Sequence, residues 1–497
     1  MHRSPTATIA LGCALTLLAG AAPAAVAAPA AGTATAPARN GVNVAEDARV
    51  SSSATRSRVA TSAANTRINQ VLRKRTTSKI LGKRFTMTVW DSASGAYVYQ
   101  RRASASLRGA STTKILTAVG VLAALGPDHR LPTTVRAGAT PDEVVLVAGG
   151  DPLLTSAELR TLAAATASNL GLPASPPASS AAPAADAASP AAVDPAASPS
   201  PAAVDPAVSP AVDPAASPSA PAPTVFPTRT ITVRADDSLF SGFGQSRGWP
   251  NSYLPRQVRP VGAFARDDNK VRDATSDAGR YFVSALRTLG VVATYAGESS
   301  ASPEAATLAS IPGHSVAQAV SRMLLISDND TAEMLFRHIA VARGLPGTWA
   351  GARQALTDTL RELDVPLGGV RIIDGSGLSL EGRLTAGALT SALARALSPE
   401  HPRLAGVRGW LPVAGRTGTL KAGYRRFSAK PARCAAGRIQ AKTGTVADAI
   451  ALAGYAAGAD GQTKVFVSIV NSRPTRYSRV TTRTAVDRAT SSITGCW

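Results

Sequence analysis

The chain is poor in cysteine, histidine and aromatic residues. Of its 497 residues, only 3 are cysteine and 5 are histidine, and aromatic residues make up 4%. Structural zinc sites need closely spaced Cys and His ligands, and these residues are too few and too scattered to supply them. We therefore expect no metal site, and we also expect no cofactor. The apolar share of 45% is raised by alanine, so it overstates the size of the core side chains.

Long apolar runs are also scarce. A short basic start precedes an apolar run from Ile9 to Leu18, and small residues follow it. This order predicts a signal peptide over residues 1–28 and hence a secreted, extracytoplasmic protein. Cys13 matches a lipidation motif only in part. No later run approaches the roughly 18 apolar residues of a membrane span, so we expect no transmembrane segment in the mature chain.

Acidic residues are outnumbered by basic ones. The chain has 53 Lys and Arg against 32 Asp and Glu, which gives a net charge of +21. Nucleic acid could attract such a charge, but the sequence has no zinc-ligand set, cluster of stacking aromatics or basic helix, and the export signal argues against it. We expect anionic cell-wall polymers or lipid headgroups as the counter-charge. A role in solubility explains the charge equally well.

Two stretches lack the apolar residues that a core requires. Residues 29–64 consist mostly of Ala, Thr and Ser with scattered charge, which predicts a disordered leader. Residues 173–223 are rich in Ala, Pro and Ser and contain no Lys or Arg, which predicts an extended, disordered loop. This loop is either a tether or, more simply, a tolerated surface insertion.

Three short motifs carry the functional information, and the first runs from Ser111 to Lys114. A polar approach followed by apolar residues at helical spacing places Ser111 in the first turn of a helix. The two side chains then share one face, so the amine can activate the hydroxyl as a base. The helix N-terminus also suits an oxyanion hole that includes the Ser111 N–H. Alone, the motif is more often a helix cap followed by a surface lysine.

The second motif is Ser327-Asp328-Asn329, which lies between two apolar patterns of helical period. This position predicts a loop between two helices. Ser327 can relay a proton there, and Asn329 can hold a substrate amide. Taken alone, the same residues suit a helix cap.

The third motif comprises Lys442, Thr443, Gly444 and Thr445 at the start of a predicted antiparallel hairpin. A cation and two hydroxyls on a strand suit a peptide's terminal carboxylate, and Gly444 leaves the strand surface bare for a substrate strand. The alternative is an edge lysine that opposes aggregation. Residues 416–419 imitate the motif with an arginine, but no hairpin follows them directly.

In this order the motifs resemble the signature of class A β-lactamases and penicillin-binding proteins. Their surroundings are most similar to the D-alanyl-D-alanine carboxypeptidases/endopeptidases among the low-molecular-mass class C penicillin-binding proteins. The segments that add to the likeness are residues 146–152, 374–379, 411–415 and 418–420. The resemblance implies an α+β fold, in which an antiparallel sheet is flanked by helices and a smaller domain is inserted. We expect a hairpin over residues 85–100 to pair with the C-terminal strands of this sheet.

The separation of the motifs agrees with such an insertion. Ser327 lies 216 positions after Ser111, far more than in compact β-lactamases. We expect the catalytic domain to comprise residues 65–130 and 260–497, and the inserted domain to comprise residues 131–259.

The resemblance also implies roles for individual residues. It implies a serine DD-peptidase that cleaves the terminal D-Ala-D-Ala bond of peptidoglycan stem peptides, with β-lactams as covalent inhibitors. The implied catalytic residues are Ser111 as nucleophile, Lys114 as base, and Ser327 and Lys442 as the proton relay to the leaving amine. The implied substrate-binding residues are Asn329, Thr443, Gly444 and Thr445. The sequence does not separate carboxypeptidase action from cleavage of cross-links.

Two other interpretations stay open. One is a β-lactamase or esterase on the same scaffold, although Glu381 lacks the context of the base that helps class A β-lactamases hydrolyse their acyl-enzyme. The other is a non-catalytic, basic wall-binding protein.

Removal of the signal peptide leaves two cysteines, Cys434 and Cys496. An even pair in an oxidising compartment predicts a disulfide between them.

Overall fold

The computed structural model describes residues 63–172 and 229–497, apart from residues 243, 447 and 448. The predicted signal peptide, the predicted leader up to residue 62 and the Ala/Pro/Ser-rich segment lie outside the described residues. The helices are α1 (63–75), α2 (Thr113–Leu125), α3 (Ser156–Asn169), α4 (Ala274–Thr288), α5 (Val316–Ile326), α6 (Asn329–Ala342), α7 (Trp349–Glu362), α8 (Ala386–Arg395), α9 (Val407–Trp410) and α10 (Arg479–Ser491). The strands are β1 (Arg84–Asp91), β2 (Ala96–Arg101), β3 (Thr133–Ala137), β4 (Glu143–Val147), β5 (Thr230–Asp236), β6 (Val292–Glu298), β7 (Thr307–Ile311), β8 (Ile439–Val446), β9 (Ala449–Ala457) and β10 (Thr463–Asn471).

The first sheet joins the two ends of the described chain. Its five strands run antiparallel in the order β2-β1-β10-β9-β8. The predicted hairpin is β1 and β2, and β1 pairs with β10 from Arg84 to Asp91. The expected pairing of this hairpin with the C-terminal strands is therefore confirmed, and so is the α+β fold.

Helices cover both faces of this sheet. Ala451 and Ala453 of β9 pack into the cluster formed by α2 and α5 to α8, whereas Ile450 and Leu452 pack into the cluster that includes α1 and α10. Side chains alternate across a strand, so a strand buried on both faces is apolar at nearly every position. This burial explains the continuous apolar sequence of β9.

The second sheet has the order β6-β5-β4-β3-β7. β4, β5 and β6 are parallel neighbours, whereas β3 is antiparallel to both β4 and β7. α3 and α4 contribute to its core. The sheet reaches Ile311, so the predicted boundary at residue 259 divides it. The sequence did not predict β6 and β7, because these strands contain few apolar residues that face the core. Their buried apolar residues are chiefly Ala293, Ala309 and Ile311. An independently folding inserted domain stays a prediction.

The C-terminal region is linked by the predicted disulfide. Cys434 and Cys496 are bonded, with their Cα atoms 6.1 Å apart. The bond connects the segment before β8 to the residues after α10. Among the helices in the described ranges, none combines the length and apolar character that crossing a membrane requires.

Candidate active site

Ser111 and Lys114 meet at the N-terminal end of α2. Ser111 lies in a 3-10 turn, Ala110–Thr112, that leads directly into the helix. The Lys114 Nζ atom lies 3.3 Å from the Ser111 Oγ atom. Ser111 is half-buried and Lys114 is fully buried. The nucleophile is therefore accessible while the amine beside it is shielded from water.

The backbone before Ser111 is strained. Ala110 has a φ of 47°, in the left-handed region that residues with a Cβ adopt at a cost. Gly377 packs closely on this turn, since a Cβ there would lie 2.1 Å from the Ala110 carbonyl oxygen. The loop that contains Gly377 therefore helps to hold the nucleophile's turn in place.

Three oxygen atoms surround the Lys114 amine. Besides Ser111 Oγ, it contacts Asn329 Oδ1 at 2.7 Å and the Ser376 carbonyl oxygen at 3.0 Å. Burial lowers the pKa of Lys114 to about 8, although nearby carboxylates, Glu333 foremost, oppose this shift. A lysine with such a pKa is partly neutral near neutral pH, so it can accept a proton from Ser111.

Glu333 is a fully buried carboxylate that the sequence analysis did not select. It lies one helical turn after Asn329 on α6 and accepts the backbone N–H groups of Gly375 and Ser376, both at 2.8 Å. Burial raises its pKa. Because the Ser376 carbonyl contacts Lys114, Glu333 supports the amine through this loop as well as by its charge. The sequence feature that could have identified Glu333 is its spacing: it lies four residues after Asn329 and therefore on the same face of the helix.

Asp374 is a second buried carboxylate beside the lysine. It accepts the indole N–H of Trp249 and the backbone N–H of Ser379, both at 2.7 Å. Burial raises its pKa, and the charge of Lys114 opposes that shift. The likeness of residues 374–379 to the family was noted from the sequence, but the placement of Asp374 near Lys114 depends on packing between distant segments.

The second motif joins α5 to α6. Ser327 ends α5 in the left-handed conformation, with a φ of 66°, and Asp328 caps α6 by accepting the Thr331 N–H at 3.3 Å. The Asn329 Nδ2 atom donates to the Gln257 carbonyl at 2.7 Å. An amide nitrogen carries two N–H groups, so one of them can still bind a substrate carbonyl. Gln257 is a further contributor that the sequence gave no reason to select.

The third motif lies on β8, at the edge of the first sheet. Lys442 is fully buried, and its Nζ donates to the Thr443 carbonyl at 3.1 Å. Burial lowers the pKa of Lys442 well below the usual lysine value, and the nearby charge of Lys114 lowers it further. The charge of Lys114 therefore acts on the proton affinity of Lys442.

Residues 416–419, whose sequence resembles the third motif but has an arginine in place of the lysine, place a hydroxyl next to that motif. Thr443 Oγ1 lies 2.8 Å from Thr419 Oγ1, whereas Arg416 is exposed. This geometry favours Lys442 over Arg416 as the cation of the site.

The outer edge of β8 is covered only at its start. The Ala441 N–H donates to the Pro412 carbonyl at 2.9 Å. From Lys442 to Val446, the described part of the chain places no strand on that side. Thr445 is exposed on this stretch, so an extended peptide can add here as a further strand.

The structure gives Gly444 a different neighbour from the one predicted. Gly444 is buried, and a Cβ there would lie 2.7 Å from the Gly109 carbonyl oxygen and 3.2 Å from the Ala110 Cβ. The glycine therefore allows β8 to approach the Ser111 turn. The prediction that its bare surface faces the substrate is corrected, because the protein's own backbone occupies that space.

Gly444→Ala is expected to displace the Ser111 turn and to reduce kcat/KM for a stem peptide about tenfold, with a stability loss of about 1–3 kcal/mol from overpacking. Gly409→Ala is the control, because nothing lies within 4 Å of a Cβ there. Steady-state kinetics and thermal unfolding of both variants test this. Unchanged kinetics in Gly444→Ala would show that the contact does not position Ser111.

A buried lysine amine of lowered pKa beside a half-buried serine at a helix N-terminus, next to a Lys-Thr-Gly edge strand, defines a serine acyl-transfer enzyme of the penicillin-recognising fold. The chain matches the D-Ala-D-Ala carboxypeptidase 3 (S13) family over residues 66–169 and 253–492, and it belongs to that family. The enzyme is thus a serine-type D-Ala-D-Ala carboxypeptidase. The match is interrupted over the part that contains the Ala/Pro/Ser-rich segment.

Known proteins agree with this assignment. The chain is 29% identical over 394 residues to carboxypeptidase Rv3627c of Mycobacterium tuberculosis, and the match covers 77% of this chain and 75% of that protein. It is 27% identical over 428 residues to the D-alanyl-D-alanine carboxypeptidase of Actinomadura sp. strain R39, and the match covers 78% of this chain and 77% of that protein.

Solved structures share the fold. Penicillin binding protein 4 (dacB) of Haemophilus influenzae superposes with a TM-score of 0.63 at 17% identity, covering 83% of this chain and 95% of that one. A crystal structure of the same protein in complex with a β-lactam has a TM-score of 0.58 at 17% identity and covers 85% and 98%.

Glu333→Gln is expected to move the acid limb of the pH–rate profile to lower pH. Lys114 must be neutral to accept a proton, so the rate rises as pH increases toward its pKa of about 8. Glu333 raises that pKa, and its removal lets burial lower it further. The rate at high pH should also fall about tenfold, because the new amide opposes the backbone N–H groups of residues 375 and 376.

Glu362→Gln is the matched control, since Glu362 is a surface carboxylate paired with Arg343. Its pH–rate profile for D-Ala release should equal that of the wild type. An unshifted acid limb in Glu333→Gln would exclude an electrostatic effect of Glu333 on Lys114.

Proposed function

We propose that this protein is a secreted serine DD-peptidase that removes the terminal D-alanine of peptidoglycan stem peptides through an acyl-enzyme on Ser111. The observation that carries the proposal is the 3.3 Å contact between the buried Lys114 amine and the half-buried Ser111 hydroxyl. The surface charge of the chain supports a location in the cell envelope, where anionic polymers surround the substrate.

Acylation begins with proton transfer from the Ser111 hydroxyl to neutral Lys114. The Ser111 Oγ then attacks the carbonyl carbon of the penultimate D-alanine. The N–H groups of Ser111 and Thr445 stabilise the resulting oxyanion, and the position of Ser111 at the start of α2 adds the favourable helix dipole. Asn329 orients the substrate with its remaining amide N–H.

Collapse of the tetrahedral intermediate releases D-alanine, whose amine needs a proton. Ser327 and Lys442 supply it, and the lowered pKa of Lys442 makes this lysine a ready proton donor once it is charged. Thr443 and Thr445 bind the terminal carboxylate of the leaving residue. Water then attacks the acyl carbonyl and gives a proton to Lys442, which was left uncharged when it protonated the leaving amine, and Lys114 returns its own proton to Ser111. β-Lactams mimic the substrate and acylate the same serine.

The test is incubation of the mature chain with a soluble stem pentapeptide and with a cross-linked stem-peptide dimer. Mass analysis should show loss of one D-alanine from the pentapeptide. Cleavage of the dimer would add endopeptidase activity to the proposal. Failure to release D-alanine at any pH between about 6 and 10, by folded protein, would overturn the proposed function.

A further inference from the structure

The two helices on the face of the first sheet remote from α2 carry an unbalanced positive charge. Residues 63–90, which include α1, contain seven Lys and Arg and no Asp or Glu. Residues 473–497, which include α10, contain five Lys and Arg and a single acid, Asp487. The charge of this face is therefore far more one-sided than that of the whole chain.

Asp487 does not balance this charge on the surface. It is buried, and Arg426 binds it through two nitrogens, with an Nε to Oδ2 distance of 2.9 Å and an Nη2 to Oδ1 distance of 2.5 Å. Two of the remaining cations, Arg75 and Arg488, lie close to each other. Burial lowers the pKa of Arg75, and the nearby charge of Arg488 lowers it further. A bound anion would relieve this repulsion.

A groove of about 540 Å³ runs between the two helices. Lys74, Arg75 and Arg488 supply its cations. Hydroxyl groups lie beside them, on Ser78, Thr481 and Thr484.

The groove also contains half-buried apolar side chains, those of Ile80 and Val480. Cations, hydroxyls and apolar carbon in one groove match a chain in which phosphates alternate with polyol or sugar units. Lys and Arg bind phosphate oxygens, hydroxyls pair with hydroxyls, and the C–H surface of the polyol covers the apolar side chains.

We propose that the groove between α1 and α10 binds a phosphodiester-linked polyol or sugar polymer. Further exposed cations lie close in sequence to the groove residues, at Lys79, Lys83 and Arg479, and we assign the next phosphates of the chain to them. A flat lipid surface fits less well, because the groove is concave and its apolar side chains are half-buried. The exposed Trp497 is also engaged, since the Arg67 guanidinium lies 5.6 Å from its ring.

The position of the groove separates polymer binding from catalysis. α1 and α10 pack on one face of the first sheet, whereas α2, which carries Lys114, packs on the other. A bound polymer therefore leaves the edge of β8 free. The groove would hold the enzyme in an anionic wall while stem peptides exchange at the active site.

The test measures binding of the mature chain to poly(glycerol phosphate), with neutral dextran as the reference polymer. Lys74→Glu/Arg488→Glu is expected to weaken binding at least about tenfold, because two phosphate contacts become repulsive. The control is Arg272→Glu/Arg280→Glu, which makes the same change in net charge on exposed residues near α4. Its binding should stay within about twofold of the wild type.

A milder variant, Lys74→Gln/Arg488→Gln, guards against misfolding and should lose about threefold in affinity at moderate salt. D-Ala release from a soluble stem peptide should be unchanged in all three variants, which reports an intact catalytic site. If the charge reversals at Lys74 and Arg488 and those at Arg272 and Arg280 weaken polymer binding equally, the proposal is overturned, because net charge alone would then explain binding. Binding to vesicles of anionic phospholipid but not to the polymer would overturn it as well.

Discussion

Ser111→Ala is expected to abolish both D-Ala release and covalent labelling by penicillin. The substitution removes the Oγ atom that forms the acyl-enzyme, and no other hydroxyl in the motif occupies its position next to Lys114. A loss of at least about 10³-fold in kcat is expected, as for removal of other serine nucleophiles. Fluorescent penicillin labelling and mass analysis of a stem-peptide digest measure the two effects.

Ser106→Ala is the matched control for this variant, because Ser106 is exposed and lies a few residues earlier on the same segment. It should retain wild-type labelling and turnover. The Ser111 variant should keep its melting temperature, since Ser111 is half-buried and the hydrogen bond between its side chain and Lys114 is long, at 3.3 Å. Residual labelling of Ser111→Ala at wild-type stoichiometry would place the nucleophile elsewhere.

Lys114→Met is expected to lower kcat for D-Ala release by about 10²- to 10⁴-fold, the range for loss of a general base. Methionine has a similar length and tolerates an irregular apolar site, so the fold should survive. Penicillin acylation should slow by a similar factor, because both reactions need the same proton transfer from Ser111. Single-turnover acylation kinetics measure this step directly.

Lys79→Met controls for loss of a lysine, since Lys79 is exposed and lies outside the active site. Its turnover of a stem peptide should equal that of the wild type. Activity of Lys114→Met within tenfold of the wild type would show that another group deprotonates the serine. Lys442 would then be the candidate, because it is the second buried lysine of the site.

The features that the sequence predicted correctly depend on local patterns. Alternating apolar residues and turn residues predicted the β1–β2 hairpin and the hairpin that begins with Lys442. Helical periodicity placed Ser111 at the start of a helix. Such local structure is set by residues that are close in the chain, so it can be predicted from one sequence alone.

The features that the sequence did not predict depend on packing between distant segments. Glu333 binds the backbone of residues 375 and 376, more than forty positions away. Thr419 contacts Thr443 from a 3-10 turn, Gly418–Leu420, and Gly444 on β8 packs against the Gly109 carbonyl. Local sequence patterns carry no information about contacts between distant segments. The residues that hold Lys114 in place could therefore be identified only from the structure.

The structure also bears on the rival β-lactamase interpretation. Glu381, the residue considered as a deacylating base, pairs with Arg247 at 2.9 Å and is partly exposed. The buried carboxylates near Lys114 are instead Glu333, which is held by two backbone N–H groups, and Asp374, which is held by the Trp249 indole N–H and the Ser379 backbone N–H. A carboxylate bound in this way is poorly placed to activate a water molecule for rapid deacylation, which favours a long-lived penicillin adduct.

The proposed mechanism depends on Ser111, activated by Lys114, as the residue that carries the acyl group. The most direct test is to react the protein with benzylpenicillin, digest it and locate the added mass by tandem mass spectrometry. One adduct per chain is expected, on Ser111, and it should persist far longer than the turnover time of the stem peptide. An adduct on another residue, or no adduct on folded protein, would contradict this mechanism.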